Sequence, residues 1–312
     1  MNTILCTTPI DHLEGIKENL RKFGNLIYKP NIKSYELKSL LNKNKKINYI
    51  FCNPNRQGYI LNKDILKNST IKFINTASTG LNHINLKDCN ELNIKILSLT
   101  KDLNLIKKLP STSELAFGLM ISLLRYIPKS FESVKNKKWN YLPFVGQEIS
   151  SLTLGIIGLG RLGKIMANFG KSFGMNVLFY DPYVVSSKYK KVSLKNLFKL
   201  SDVISIHTHV NQKTKYLVNK NILRYSKKNL VIINTSRGEI VNEKDIITYL
   251  KKKKIFGYGA DVLENEFDNI KKSVILKNIK NLNIVITPHI GGMTYQGQLR
   301  AWKFAVNKFK KI

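Results

Sequence analysis

A chain of 312 residues can form one large domain or two ordinary ones, and 43% hydrophobic residues suffice for a sizeable core. No apolar run approaches the roughly 20 residues that a membrane-spanning helix needs, and Met1–Pro9 lacks the basic start and long apolar stretch of a signal peptide. Cys6, Cys52 and Cys89 form neither a metal-spaced pair nor a disulfide framework, so we expect reduced thiols and a cytoplasmic protein without membrane or metal.

The formal net charge of +32 is the most unusual global property of the chain. Such a charge is typical of nucleic-acid-binding proteins. However, lysine dominates over arginine, asparagine and isoleucine are also abundant, and the lysines are spread along the whole chain. This joint bias is what an AT-rich coding sequence produces. We therefore expect no specific nucleic-acid partner, only weak and salt-sensitive adhesion to polyanions.

The first third of the chain alternates short apolar strands with helical stretches, a pattern typical of α/β layers. Helices are predicted at Leu13–Phe23 and Ser34–Leu41, among others. The predicted strands are Ile4–Thr7, Leu26–Tyr28, Tyr49–Cys52, Ile71–Asn75 and Ile94–Leu97.

A helix with a wide apolar stripe follows this region. Ser111 and Glu114 have the spacing of a capping box at its start. Apolar residues then recur on one face up to Ile127, and such a stripe must be buried in a core or at a dimer interface. We predict a homodimer built partly on the helix Ser113–Ile127.

From Leu154 onward, strands and helices alternate again, and a last helix is predicted over Tyr295–Lys311. Short apolar strands of this kind fit a parallel sheet covered on both faces. We therefore predict an α/β fold of two doubly wound lobes. The second-lobe strands are predicted at Leu154–Ile157, Val177–Tyr180, Val203–Ile206, Val231–Asn234, Gly257–Val262 and Ile284–Thr287.

A glycine motif connects the first strand of the second lobe to its helix. In the segment Gly158–Gly163, Gly158 permits the tight turn, Gly160 lets the backbone approach a pyrophosphate, and Gly163 allows close packing of helix and strand. The next strand ends on Asp181, which can accept both ribose hydroxyls of NAD and would repel the 2′-phosphate of NADP. The motif predicts NAD binding at the amino end of the helix.

Three further segments place polar residues at strand ends of this lobe: Asn234–Gly238, Ala260–Glu266 and Thr287–Gly292. With them, the chain resembles the D-isomer-specific 2-hydroxy-acid dehydrogenases, the family that includes phosphoglycerate dehydrogenases and glyoxylate/hydroxypyruvate reductases. Arg237, Glu266 and His289 fall in the family's order and at family-like spacing. The resemblance runs over nearly the whole chain and is densest from Gly155 to Gly292.

The resemblance implies hydride transfer between NAD(H) and C2 of a small D-2-hydroxy or 2-keto acid. Arg237 offers a bidentate fork for the substrate carboxylate and can polarise the keto oxygen. His289 would donate or accept the proton, and Glu266 would hold the imidazole and favour its protonated form. Glu264 is a rival that the resemblance places second. The alternatives are a structural ion pair for Arg237 and an ordinary surface carboxylate for Glu266.

The remaining cofactor contacts are also implied by the resemblance. His207 would be a structural neighbour of the cofactor, and His209 stands where the family usually has proline, a departure that could loosen the loop near the nicotinamide ribose. The implied cofactor contacts are the backbone amides of Arg161 and Leu162, then Thr235, Ser236 and Arg237 near the nicotinamide ribose, Asp261 at the carboxamide, and Gly291 and Gly292 beside it.

For the substrate, the resemblance points to backbone amides of Ser78, Thr79 and Gly80 in the first lobe, where a glycine suits close backbone approach. The alternative is a simple turn. Asn55 and Arg56 lie on another first-lobe loop. Contact with a distal group of the substrate and no contact with the substrate are both open for them. Trp139 is expected to pack between the lobes rather than to contact the substrate.

We accordingly predict a Rossmann NAD-binding domain over 103–287, inserted in a smaller flavodoxin-like substrate domain of residues 1–102 and 288–312. The chain ends soon after Gly292, so we expect no C-terminal regulatory domain, and Glu266 argues against formate dehydrogenases, which have Gln there. Phosphorylated and unphosphorylated substrates both fit a lysine-rich chain. The alternative function is a non-catalytic co-regulator that senses NAD(H), because the same fold hosts both.

Overall fold

The computed structural model describes residues 2–54, 57–186, 188–264, 266 and 270–311. The chain divides into two compact units, the first formed by Met1–Leu109 with Met293–Ile312 and the second by Pro110–Gly292. The units therefore change at 109/110 and 292/293. The predicted domain boundaries, 102/103 and 287/288, lie a few residues earlier in the chain. The differences arise because the helix that begins at Leu103 belongs to the first unit, whereas the turn after Thr287 belongs to the second.

The strands of both units are short and mostly buried. In chain order, the described residues form β1 Thr3–Cys6, β2 Asn25–Tyr28, β3 Ile47–Cys52, β4 Phe73–Thr76, β5 Lys95–Leu97, β6 Thr153–Ile157, β7 Asn176–Tyr180, β8 Lys190–Lys191, β9 Val203–Ile206, β10 Val231–Asn234, β11 Gly257–Ala260 and β12 Ile284–Ile286.

The helices lie between these strands. They are α1 Ile16–Arg21, α2 Ser34–Lys43, α3 Lys63–Leu66, α4 Leu86–Glu91, α5 Leu103–Ile106, α6 Ser111–Leu124, α7 Ile127–Lys135, α8 Arg161–Ser172, α9 Leu194–Leu200, α10 Lys220–Leu223, α11 Glu243–Lys251, α12 Val274–Asn278 and α13 Tyr295–Asn307. Short 3₁₀ segments occur at Leu142–Phe144, Ile149–Ser151, Gly238–Ile240, Ile270–Lys272 and Lys308–Lys311. No helix in the described ranges is both long enough and apolar enough to cross a membrane.

The first unit is built on a five-stranded sheet in the order β2-β1-β3-β4-β5, with parallel neighbours throughout. This is the flavodoxin-like order of a doubly wound sheet. Each face has its own apolar cluster. On one face, Trp302 of α13 packs its ring edge-on to Phe51 of β3 at 5.4 Å, so the C-terminal helix is part of this core.

The second unit has seven strands in the order β12-β11-β10-β9-β6-β7-β8, again with parallel neighbours. This is the Rossmann order, in which the connections reverse direction at the central strand β6. The edge strand β8 was not predicted. It consists of two exposed lysines paired with β7, and such a short polar strand has no apolar pattern from which to predict it.

The apolar stripe of α6 is buried within the second unit. Ala116, Met120 and Leu123 pack in one cluster with Leu154 and Ile156 of β6, on one face of the sheet. The stripe that suggested a dimer interface therefore covers the unit's own sheet. The capping box predicted at the start of this helix is wrong, because Ser111 already lies in the first turn and Pro110 occupies the cap position.

Candidate active site

The glycine loop after β6 is shaped by two close backbone approaches. Gly158 has φ 88°, and a Cβ on it would lie 2.8 Å from the carbonyl oxygen of His207. A Cβ on Gly163 would lie 2.0 Å from the carbonyl oxygen of Gly158, so α8 packs directly against the loop. Around Gly160, by contrast, no described atom lies within 4 Å of an added Cβ. This open, Cβ-free position sits at the amino end of α8, where helix N–H groups can bind phosphate.

The loop lies where the strand order reverses, between β6 and β9, and a doubly wound sheet binds its ligand at this point. Two buried polar atoms here have no partner among the described residues: Nδ1 of His207, just after β9, and Oγ1 of Thr235, just after β10. Burial lowers the pKa of His207 to about 3, so its ring is neutral, and Nε2 lies 2.8 Å from Oγ of Ser205. The unpartnered atoms and the open glycine fit a dinucleotide better than a packed interior.

Asp181 follows β7 and is only 8% exposed. Its Oδ2 accepts the N–H of Leu159 at 2.9 Å, and its Oδ1 accepts those of Tyr183 at 2.9 Å and Val184 at 3.1 Å. The sequence suggested a ribose ligand here but not these three bonds. They fix the carboxylate beside the glycine loop.

Arg237 lies in the loop after β10, and the loop is fixed by local hydrogen bonds. The Nδ2 of Asn234 donates to the carbonyl of Arg237 at 2.9 Å, and Oγ of Ser236 donates to the carbonyl of Ile206 at 2.8 Å. The guanidinium is half-buried and donates from Nη1 to the carbonyl of Ser236 at 2.7 Å. Arg237 forms none of the ion pairs found among the described residues.

His289 and Glu266 meet directly. Nδ1 of His289 lies 2.8 Å from Oε1 of Glu266; the imidazole side chain is 42% exposed and the carboxylate side chain 15%. Glu264, the rival carboxylate, instead accepts a short hydrogen bond from the Tyr216 hydroxyl. The structure therefore brings Glu266 and not Glu264 to the imidazole.

Asp261 fixes the turn on which His289 stands. This aspartate is 2% exposed; its Oδ1 accepts the hydroxyl of Thr287 at 2.6 Å and the N–H of Ile290 at 2.7 Å, while its Oδ2 accepts the N–H of Gly291 at 2.7 Å. Burial raises the pKa of Asp261, and these hydrogen bonds oppose the rise. The backbone of His289 has φ 55°, an uncommon value outside glycine that the turn holds in place. The sequence did not reveal this second role of Asp261.

The remaining predicted residues lie in their own units. In the first unit, Oγ of Ser78 donates to the carbonyl of Gly80 at 2.7 Å and accepts its N–H at 3.0 Å, so this loop closes on itself. Asn55 and Arg56 lie outside the described residues. In the second unit, Trp139 is 90% exposed.

The loop that carries His209 is held by hydrogen bonds of its own. Oγ1 of Thr214 donates to the carbonyl of His209 at 2.6 Å and accepts the N–H of Asn211 at 2.8 Å. A histidine in the position of the usual proline is therefore compatible with an ordered loop.

Comparison with known proteins finds relatives of known family. Residues 117–291 match the family model described as D-isomer specific 2-hydroxyacid dehydrogenase, NAD binding domain. A hydroxypyruvate reductase of Thermotoga maritima is 33% identical over 247 residues, which are 78% of each chain. A D-3-phosphoglycerate dehydrogenase of Bacillus subtilis is 31% identical over 75% of this chain, but over only 43% of its own length.

The fold of the whole chain also has close counterparts among solved structures. The D-lactate dehydrogenase of Aquifex aeolicus, solved with NAD and lactic acid, superposes with a TM-score of 0.80 at 26% identity. The match covers 99% of this chain and 94% of that one. The chain therefore belongs to the D-isomer-specific 2-hydroxyacid dehydrogenases and is an NAD-dependent oxidoreductase of that family.

Proposed function

We propose that this dehydrogenase interconverts a small 2-keto acid and the matching D-2-hydroxy acid at C2, with Arg237, Glu266 and His289 as its acting side chains. The single observation that carries the proposal is the 2.8 Å contact between Nδ1 of the accessible His289 and Oε1 of Glu266. An imidazole that is held at Nδ1 by a carboxylate and is 42% exposed is the arrangement of a general acid and base. Nothing in the relatives' names supports a non-catalytic sensor of NAD(H).

NADH, when bound, would supply the hydride. As negative charge develops on the keto oxygen, protonated His289 donates a proton to it, and in the reverse direction neutral His289 accepts the hydroxyl proton. Because Nδ1 is engaged with Glu266, the transferred proton is assigned to Nε2. The side chain of Glu266 is only 15% exposed. Its carboxylate stabilises the positive charge of the His289 ring when the ring is protonated.

Arg237 would hold the substrate carboxylate. Its guanidinium presents five N–H donors in a planar fork, and one nitrogen is committed to the carbonyl of Ser236. That bond fixes the plane of the fork while leaving donors for a bidentate contact. Backbone amides of the loop Ser78, Thr79 and Gly80 are proposed as the second carboxylate contact.

The cofactor would lie along the loops of the second unit. Amides at the start of α8 would bind the pyrophosphate, and Asp181 would accept hydrogen bonds from the ribose hydroxyls, which favours NADH over NADPH. Besides Asp181, the proposed cofactor contacts are Gly158, Gly160, Arg161, Leu162, Gly163, Thr235, Ser236, Arg237, Asp261, Gly291 and Gly292.

A homodimer in the cytoplasm remains our proposal, but with a different contact surface. The apolar face of α6 is buried, whereas large apolar side chains are exposed in the segment that follows it. Clustered exposed apolar residues mark association surfaces in water. The segment includes Ile127 at 48%, Phe131 at 69%, Trp139 at 90%, Tyr141 at 80%, Leu142 at 67% and Val145 at 73% exposure.

The proposal is tested with a panel of 2-keto acids and NADH, with turnover followed by loss of absorbance. We expect at least one short 2-keto acid to be reduced, and His289→Ala to lower kcat by on the order of 10² to 10⁴ while NADH binding stays near normal. A protein that binds NADH tightly but reduces none of the panel would favour the sensor. Full turnover by His289→Ala would remove His289 from the reaction and leave the enzyme family unchanged.

A further inference from the structure

Glu243 is a buried carboxylate to which the proposed reaction gives no role. It is the first residue of α11, directly after the cap residue Asn242, and only 2% of it is exposed. Its Oε1 accepts the backbone N–H of Glu264 at 2.8 Å. Glu264, Leu263 and Glu266 are the described residues of one turn, named here the relay turn. Glu243 therefore ties α11 to the turn that carries the carboxylate partner of His289.

The relay turn is held from several sides. A Cβ on Gly238 would lie 2.1 Å from the carbonyl carbon of Leu263 and 2.2 Å from the nitrogen of Glu264. The backbone of the relay turn therefore packs directly against the backbone of Gly238. Within the turn, the N–H of Glu266 donates to the carbonyl of Leu263 at 3.3 Å, and the N–H of Leu263 faces Oε2 of Glu266 at 3.4 Å. Because these bonds couple the Glu266 carboxylate to the turn's backbone, a shift of the backbone moves that carboxylate against the imidazole.

Glu243 also lies among other negatively charged groups. Among the described residues, the carboxylates of Glu239, Glu264 and Glu266 act on it. Two titratable hydroxyls, those of Tyr216 and Tyr258, in turn feel the charge of Glu243. Burial, reinforced by the neighbouring carboxylates and opposed by the bond from Glu264, raises the pKa of Glu243 to about 7.

An acidic residue at a helix amino end is commonly a stabiliser of the helix. Glu243 does not fit that role alone, because a carboxylate enclosed among other carboxylates destabilises the fold whenever it is ionised. Its hydrogen bond points away from α11 to the relay turn, so what the carboxylate orders is the turn and not the helix end. The α11 amino end is capped by the Asn242 side chain, which accepts the N–H of Asp245.

We infer that Glu243 is a positioning residue for proton transfer: its carboxylate holds the relay turn so that Glu266 stays on Nδ1 of His289, and its negative charge adds to that of Glu266. The inference rests on the proposed function, since it takes His289 as the proton donor. It predicts two separate effects. Loss of the hydrogen bond of Glu243 should lower kcat, and loss of its charge should lower the pH at which keto-acid reduction fades.

The test compares Glu243→Gln, Glu243→Ala and the control Glu239→Gln, with kcat and KM for keto-acid reduction measured across pH. Glu243→Gln keeps an oxygen acceptor and removes the charge, so kcat at neutral pH should stay within about threefold, while the alkaline limb of the profile moves to lower pH. Glu243→Ala removes the acceptor and should lower kcat by roughly ten- to a hundredfold with NADH affinity retained. Glu239→Gln removes a half-buried charge of the same cluster and should leave kcat unchanged.

If Glu243→Gln and Glu243→Ala both keep the parental kcat and pH profile, the inference is overturned. If Glu243→Ala does not fold, the pH profile of Glu243→Gln decides alone. An equal shift of the profile in Glu239→Gln and Glu243→Gln would also overturn it, because the effect would then belong to net charge and not to the relay turn. Failure of the proposed function is seen separately, as turnover by His289→Ala.

Discussion

Adding a single methyl group at Gly163 should damage both the fold and the cofactor site. The Cβ of Gly163→Ala would stand 2.0 Å from the carbonyl oxygen of Gly158 and 3.1 Å from Cγ2 of Ile156. Real Cβ atoms essentially never come within 3.0 Å of a heavy atom outside their own residue and its two chain neighbours, so the loop and α8 must separate by about 1 Å. Neither side yields easily, because Gly158 is hydrogen-bonded to the carbonyl of Tyr180 at 2.9 Å and α8 is packed through the buried Met166.

Overpacking of this kind typically costs 1–3 kcal/mol, and the value here should be near the upper end, about 3 kcal/mol, because the closer contact is with a backbone carbonyl that cannot rotate away. For a unit of this size the loss corresponds to a melting temperature lower by roughly 6–12 °C. Gly160→Ala is the matched control, since its Cβ meets no described atom within 4 Å. Its stability should stay within about 0.5 kcal/mol of the parent.

The two variants should separate stability from binding. Urea unfolding measures the first, and NADH fluorescence titration measures the second. Gly163→Ala should lose stability and NADH affinity together, whereas Gly160→Ala should lose affinity alone, by about tenfold or more, because the methyl occupies the space of the pyrophosphate. Equal unfolding midpoints for Gly163→Ala and the parent would refute the close approach of helix and loop. Unchanged NADH affinity in Gly160→Ala would refute the placement of the phosphates.

Four further outcomes are expected. Asp181→Ser should narrow the preference for NADH over NADPH, measured as the ratio of kcat/KM values; equal use of both cofactors by the parent would contradict the assignment. Arg237→Ala should raise KM and lower kcat together, because the fork acts on substrate and transition state alike; a change in KM alone would limit it to binding. Glu266→Gln should make reduction fade at lower pH, since protonated imidazole loses its ion-pair partner, and Glu264→Gln should not. Glu243→Gln should stabilise the fold by up to about 3 kcal/mol near pH 8 and by only about 1 kcal/mol or less near pH 5. The reason is that the pKa of Glu243 is raised to about 7 from an ordinary 4.5, so that the ionised form opposes folding; a pH-independent difference in urea midpoints would contradict this sign.

The fold could be predicted from the sequence because its signals are local. Each core strand is a short apolar run, and Gly158, Gly160 and Gly163 have the spacing that a strand-to-helix turn around a phosphate requires. In a parallel sheet the carboxyl ends of all strands lie on one edge. Residues just after β10, β11 and β12, Arg237, Glu266 and His289 among them, could therefore be expected near that edge.

What the sequence did not reveal depends on contacts between distant segments. Nothing near Glu243 in the sequence marks it as a partner of the Glu264 amide, because that contact joins α11 to a turn after β11. The same holds for the Tyr216 hydroxyl, which selects Glu264 and so leaves Glu266 to the imidazole. The sequence showed that α6 carries a wide apolar stripe. It did not show whether the unit's own sheet or a second subunit buries that stripe.

One contact of the second unit also bears on its independence as a folding module. Oγ1 of Thr112, near the entry of the chain into this unit, donates to the carbonyl of Gly291, near its exit, at 3.1 Å. Entry and exit are thus adjacent, the topology of a domain inserted into a surface loop, and such domains tolerate excision and circular permutation. We therefore expect residues 110–292 to fold as a separate cofactor-binding module. We expect the same of a circular permutant of this module, in which a short linker joins residues 110 and 292 and the new termini lie in an exposed loop.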